Sequence, residues 1–334
     1  MPSLQSIENQ AYKLLLTIAL SGFDTLGVLI LVRDYSDIRA MKKLDYYVLD
    51  VFTDQRYKGN QLSVVHIESE LTLEQYHDIS REFGYSETSF VNYSTEQNVF
   101  KVRSFTPAKF EVAGAGHNLL GSVCLALLKK WDIFKNQGDQ PWVFIKDTKI
   151  PLRISEENGL PYVAMQQRPA EVIRTVPIDI ISGAVGLSID DLALNDWPIN
   201  IVQTEVPHLM VPVKDVESLK KAISHKSLLK EISEKFGFEG YYLFTTKTSS
   251  EKYLAETRFF NPGMGIDEDP ATGTAAGPLA GYLEILGYIK KNLNFLILQG
   301  KFVEHPSTIR VEVVEDGIWV SGSSTIVMEG QIYL

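Results

Sequence analysis

The sequence predicts an α+β fold in two similar halves, each a strand-rich shell around one buried helix. First, Arg103-Ser-Phe-Thr-Pro107 recurs 155 residues later as Arg258-Phe-Phe-Asn-Pro262, each copy a strand ending in R-x-F-x-P. Second, each copy leads through a Gly/Ala turn into a segment that is apolar nearly all round, at 119–128 and 275–286, where Glu284 is the one charge in the second. A helix of that kind is buried on most sides instead of lying on one face of a sheet. Third, strand-like segments recur through both halves, with 99–105 and 310–314 alternating at the period of a strand. If the halves face each other, both buried helices start at one cleft. Their free N–H groups and positive dipole ends would hold an anion such as a carboxylate there.

The elements come in this order. Residues 45–52 (DYYVLDVF) and 62–67 (LSVVHI) are aromatic and β-branched strands separated by a polar turn carrying Gly59-Asn60. Next is a helix with readable ends: Thr72 and Gln75 form a capping box, Leu73, Tyr76, Ile79 and Phe83 share a face, and Gly84 is the stop. A strand resumes through 86–91, and 99–105 alternates up to Pro107. The first buried helix spans 119–131, then strands are expected at 142–146, 150–153 and 162–166. In the second half helices are expected near 188–194 and over 215–236, and strands at 241–245, 257–260, 310–314, 318–320 and 326–334.

The 334 residues carry 32 basic and 42 acidic side chains, a net charge of −10, which without a basic block makes a poor nucleic-acid binder. One cysteine, Cys124, permits neither an intrachain disulfide nor a cysteine-rich zinc site, and suits a reducing compartment. The first forty residues stand apart. Residues 14–32 are long enough to cross a membrane, yet Asp24 lies at their centre. A signal peptide is a second reading, weakened by Glu8 offsetting Lys13. The third is that the functional body starts at Met41, with no membrane association for 41–334.

Familiar site patterns fail. Gly114-Ala-Gly116-His117-Asn118-Leu119 lacks the third glycine of a dinucleotide fingerprint, and no Walker A pattern exists. The nearest two histidines, His66 and His77, are eleven residues apart, so no metal site and no cofactor is expected. Asp267-Glu268-Asp269 reads as charge complementing a helix start. Cys124, in mid-helix, reads as a small buried hydrophobe. Three other segments place polar residues beside turns built for close backbone approach: GYSETSF with Glu87, AGHN with His117, and EDPATGTAAG with Asp269 and Thr274.

At these segments the sequence resembles the phenazine-biosynthesis PhzF-like isomerase family. The matching stretches are VLDVFTDQRYKGNQLSVV (48–65), FGYSETSFV (83–91), RSFTPAKFEVAGAGHNLLG (103–121) and RFFNPGMGIDEDPATGTAAG (258–277), in family order. The resemblance implies a diaminopimelate-epimerase-like fold with an active site between two pseudo-symmetric lobes, 43–157 and 158–324. Residues 1–42 stand outside it, and a final strand at about 325–334 joins the first lobe. It also implies a cytoplasmic homodimer that acts on a small carboxylate-bearing molecule without a cofactor.

Carried over residue by residue, the resemblance makes Glu87 the principal acid/base, with His117, Asp269 and Thr274 completing the catalytic set. Asn60, Ser86, Gly116, Asn118, Thr272 and Gly273 become substrate-binding candidates. Asn118 and Gln61 each stand where the family usually has proline. The two-thiol chemistry of the epimerase relatives is excluded here, since the single cysteine lies inside the helix. A carboxylate can take a proton and return it if burial and acidic neighbours lift its pKa toward neutrality, and Glu87 beside Asp269 suits that task. His117 can donate or accept a proton near neutral pH. Two other readings remain: an epimerase or racemase with unlike bases, and a non-catalytic small-molecule binder on the same scaffold.

Overall fold

In a computed structural model the described residues are 42–94, 99–134, 137–138 and 140–334. The readings of the apolar segment 14–32 and of a body starting at Met41 lie outside them. Among the described residues no helix is long and apolar enough to cross a membrane. By contact density, 42–44 and 331–334 form a small unit in which Leu334 N–H donates to the Lys42 carbonyl at 2.8 Å. Residues 45–330 form the other unit, which contains both copies of the repeat.

The first half opens with β1 (Lys43–Val51) antiparallel to β2 (Asn60–His66). Helix α1 (Leu73–Phe83) starts on the Thr72/Gln75 capping box and stops at Gly84, which is left-handed at φ 70°. Next, β3 (Thr88–Ser94) runs parallel to β2 and antiparallel to β4 (Val99–Phe105), which also carries β5 (Glu111–Val112). After α2 (His117–Leu128) come β6 (Trp142–Ile145) parallel to β4, then β7 (Thr148–Glu157) and β8 (Leu160–Gln167) as antiparallel neighbours.

The second half repeats this pairing. After β9 (Glu171–Thr175) and α3 (Ile178–Ala184), β10 (Asn200–Gln203) is antiparallel to β11 (Pro207–Pro212). Helices α4 (Val216–Lys221) and α5 (Lys226–Phe236) stand where α1 stood. Then β12 (Gly240–Thr245) is parallel to β11 and antiparallel to β13 (Ala255–Asn261), which carries β14 (Ile266–Asp269). After α6 (Gly273–Ile285), β15 (Asn294–Gln299) is parallel to β13, and β16 (Ser307–Val314) and β17 (Gly317–Tyr333) come next, antiparallel. The halves are joined by strands: β8 pairs with β17, and β17 also with β1, Phe52 N–H donating to Ser323 O at 2.8 Å.

Helices α2 and α6 are the axes of this arrangement. Every residue from His117 to Ala126 is buried, as is nearly all of Gly273 to Leu283, and both helices lie in one continuous apolar core. A second cluster lies under α3, α4 and α5.

Three sequence expectations need correction. The helix near 188–194 is only a 3-10 turn, Asp190–Leu192, held by a Ser188 hydroxyl bond to Asp191 at 2.6 Å, while α3 lies upstream. The helix expected over 215–236 is two. Ala222 turns to φ −56°, ψ 136°, and the Arg258 guanidinium donates to the carbonyls of Leu219, Lys220 and Ala222 at 3.1, 3.3 and 2.6 Å. The last two expected strands are one, β17. Short strands β9, β10, β11, β14 and β15 carried too little alternation to be read.

Candidate active site

The two R-x-F-x-P strands set the frame. Arg258 holds Glu268 through two bonds of 2.9 and 2.6 Å, and Arg103 holds Glu111 at 2.8 Å, so in each half the strand's arginine grips the short strand beyond its proline. That grip aims each short strand at the start of the buried helix. The two helix starts meet: a Cβ on Gly273 would lie 3.4 Å from the Cα of Gly116, within van der Waals contact. Neither N-cap residue, Gly116 or Thr272, caps its helix with a side chain; of the first amides of α2, that of Leu119 is taken by the Asn118 side chain. Around this junction is a cavity of about 200 Å³.

Glu87, His117, Asp269 and Thr274 all line this cavity, as do Gly116, Asn118, Thr272 and Gly273. Two substrate-binding candidates do not. Asn60 is buried behind Asp269, donating to its carboxylate and to the Ala271 carbonyl at 2.8 Å each. Ser86, one residue before Glu87, is off the wall, with its hydroxyl buried and unpartnered. Gln61 is also off the wall. The Asn118 side chain is committed to the turn, accepting from the amides of Gly116 and Leu119 at 2.8 and 2.7 Å and donating to Gly114 O at 3.1 Å.

Glu87 sits in the single extended residue before β3. Its Oε2 is shut off from solvent and has no hydrogen-bond partner. Burial, reinforced by the negative charges of Asp269 and Glu239 and opposed by the Asn118 side chain, pushes its carboxyl up to about 8. Asp269 closes β14. Burial raises it to about 6, while hydrogen bonds from Thr272 (2.6 Å) and Asn60 restrain the rise and Glu268 adds to it. The Thr272 hydroxyl is therefore spent on Asp269, which explains why it does not cap α6. Gln299 braces the same turn, donating to Asp269 O at 2.7 Å and to Thr272 Oγ1 at 2.9 Å.

Burial lowers His117 to about 4, and its Nε2 is unpartnered. It is thus a neutral imidazole at physiological pH, able to hydrogen-bond but not to bring a charge. Four acids line the cavity, Glu87, Glu111, Glu239 and Asp269, and no Lys or Arg does. An anion bound here must rely on amides and on the neutral forms of the raised carboxyls.

Sequence reasoning missed His208, Glu239, Asn261 and Gln299. A signal for Glu239 was present in the repeat. It precedes β12 as Glu87 precedes β3, so the two are counterparts. Cys124 is off the cavity wall, with its thiol pushed up to about 12 by burial. Cys124→Ala is expected to cost about 1 kcal/mol of stability and leave turnover unchanged, as denaturant titration and assay would show.

A pseudo-symmetric pair of strand shells, each around a helix that starts at one shared cavity, defines the class as the epimerase-like α+β fold. The chain belongs to the phenazine biosynthesis-like protein family, whose model matches residues 49–330. It is 28% identical over 308 residues to an uncharacterized isomerase of Clostridium acetobutylicum, covering 88% of this chain and 99% of the relative. It is 27% identical over 300 residues to the trans-2,3-dihydro-3-hydroxyanthranilate isomerase of Pseudomonas aeruginosa, covering 86% and 99%. Among solved structures it is similar to a predicted epimerase of Pseudomonas aeruginosa, with a TM-score of 0.74, 29% identity and coverage of 86% and 99%. The fold is also that of a Bacillus anthracis PhzF-family phenazine biosynthesis protein, with a TM-score of 0.78, 23% identity and coverage of 88% and 100%.

Proposed function

We propose that the protein is a cofactor-independent isomerase that moves a proton within a small carboxylate-bearing substrate, with Glu87 as the acid/base. The observation that carries this is the Glu87 carboxyl on the cavity wall, its Oε2 buried without a partner and the group raised to about 8. Unsatisfied buried polar atoms are costly and rare in folded proteins. Of nine such side-chain atoms among the described residues, five belong to Glu87, His117, His208 and Asn261 on this one wall. That concentration favours a site finished by its ligand.

In this reading the substrate carboxylate sits at the paired helix starts, with the Gly273 and Thr274 amides facing it. The ionised Glu87 takes a proton from the adjacent carbon, the C–H electron pair shifts into the neighbouring π system, and Glu87 returns the proton to a different carbon. His117 and Asp269 hold the carbon skeleton and stabilise the charge that develops. The relatives named as isomerases support the reaction type. An epimerase is the second reading, favoured by Glu87 and Glu239 reaching the cavity from opposite halves. A homodimer in the cytoplasm remains part of the proposal.

The test is proton NMR in deuterium oxide with trans-2,3-dihydro-3-hydroxyanthranilate and a panel of small amino and hydroxy acids. A double-bond shift with deuterium entering at one carbon is the expected result. Exchange with inversion at one stereocentre would select the epimerase. No deuterium uptake into any carboxylate that binds would remove the isomerase.

A further inference from the structure

His208 is the second residue of β11, 2% exposed, and both of its ring nitrogens are without a hydrogen-bond partner. It lines the same cavity as Glu87. Such a group in a closed core would be expensive, because imidazole always carries at least one N–H donor and, when neutral, an acceptor as well. Burial leaves it neutral, lowered to about 3, so its missing partner is a polar group and not a counter-ion.

The repeat sharpens this. By strand register His208 lies opposite Gly240, as Ser63 lies opposite Thr88 in the first half. Ser63 is satisfied there by the Thr88 hydroxyl at 2.7 Å. The second half has no such partner, since Gly240 offers no side chain. Gly240 instead lets the Phe259 ring lie close, a Cβ there meeting the ring at 2.2 Å. Phe259 packs on the imidazole at 5.3 Å and 86°, which fixes the plane of the ring. Glu239 adjoins it, its amide donating to Pro207 O at 2.9 Å. The second half has thus exchanged a satisfied serine for an imidazole that is oriented and unsatisfied, at the edge of the cavity.

We propose that His208 is a substrate-contacting residue, whose imidazole exchanges a hydrogen bond with a neutral hydroxyl or amino substituent on the carboxylate-bearing substrate. The proposal rests on the reading of this cavity as the active site. It assigns His208 to recognition and leaves proton transfer with Glu87.

The experiment compares the parent protein, His208→Phe, His208→Gln and Glu87→Gln. Titration calorimetry uses trans-2,3-dihydro-3-hydroxyanthranilate and its stable aromatic analogue 3-hydroxyanthranilate, and thermal melts are recorded without ligand. His208→Phe should bind about 10- to 100-fold more weakly, the scale of leaving one buried polar group unpaired. Its melting temperature should hold or rise, because two unsatisfied nitrogens are removed. His208→Gln should recover part of the binding. Glu87→Gln should still bind, showing that the cavity is intact. Parent-like binding by His208→Phe, or a large fall in its melting temperature, would overturn the role of His208 and leave the site reading standing. Failure of the parent to bind either probe would overturn both.

Discussion

Glu87→Gln is expected to lose about 10²- to 10⁴-fold in turnover, the scale of a general acid–base residue, while substrate binding survives. Glutamine keeps the shape and the hydrogen bonding of the protonated acid but cannot carry a proton. Stability should move the other way. The folded pKa of Glu87, about 8, lies above its unfolded value, so between the two the native state binds more protons than the unfolded one. The parent therefore loses stability as pH rises through that window. Glu87→Gln should melt with the parent at about pH 4.5 and increasingly above it as pH rises, levelling off past 8. The gain should be about 1–3 kcal/mol. Activity within a few-fold of the parent at confirmed folding would remove Glu87 from the chemistry, and Cys124→Ala inactive in the same assay would redraw the site.

Arg258→Met is expected to cost about 3–5 kcal/mol, the usual loss when one partner of a buried ion pair is removed. The Arg258 and Glu268 side chains are only 11% and 12% exposed. Removing the guanidinium takes a donor from that carboxylate and from the carbonyls of Leu219, Lys220 and Ala222. Lysine should not rescue it, since one ammonium cannot grip a carboxylate two-handed and cap three carbonyls. Arg103→Met should cost less, about 1–2 kcal/mol. Its second partner Glu70 is 56% exposed, and exposed pairs contribute little. Equal losses for the two variants by urea titration would mean that Arg258 acts only through its pairing with Glu268 and not as the cap of α4.

What could be read in advance was whatever is written locally. The α1 capping box needs four consecutive residues, and the burial of α2 and α6 is written in their all-round apolarity. The segments 83–91, 113–118 and 269–274 carry Glu87, His117, Asp269 and Thr274 where a core would not. The break between α4 and α5 was hidden because its cause is Arg258, distant in sequence and brought close by β13. The resemblance placed Asp269 in the site, while its local pattern reads only as helix-dipole charge, because β14 has no apolar alternation and its burial comes from pairing with β13. Asn60 was assigned to the substrate, though its amide holds Asp269 across the fold. His208 and Gln299 reach the site through strand register, which no local pattern encodes.

The strand exchange between the halves has a historical consequence. Each half gives its last strand to the other, β8 pairing with β17 and β17 with β1. A half-length ancestor with this pattern would have carried an unpaired edge, a hazard in any sheet, and a second copy of itself would have been the partner with matching register. Two copies swapping strands about a two-fold axis would place identical helix starts, and identical acids, across one shared pocket. Joining two such copies in one chain would free them to drift apart. Glu87 against Glu239 and Ser63 against His208 would be the marks of that divergence, in which a symmetric pocket became one with two different sides.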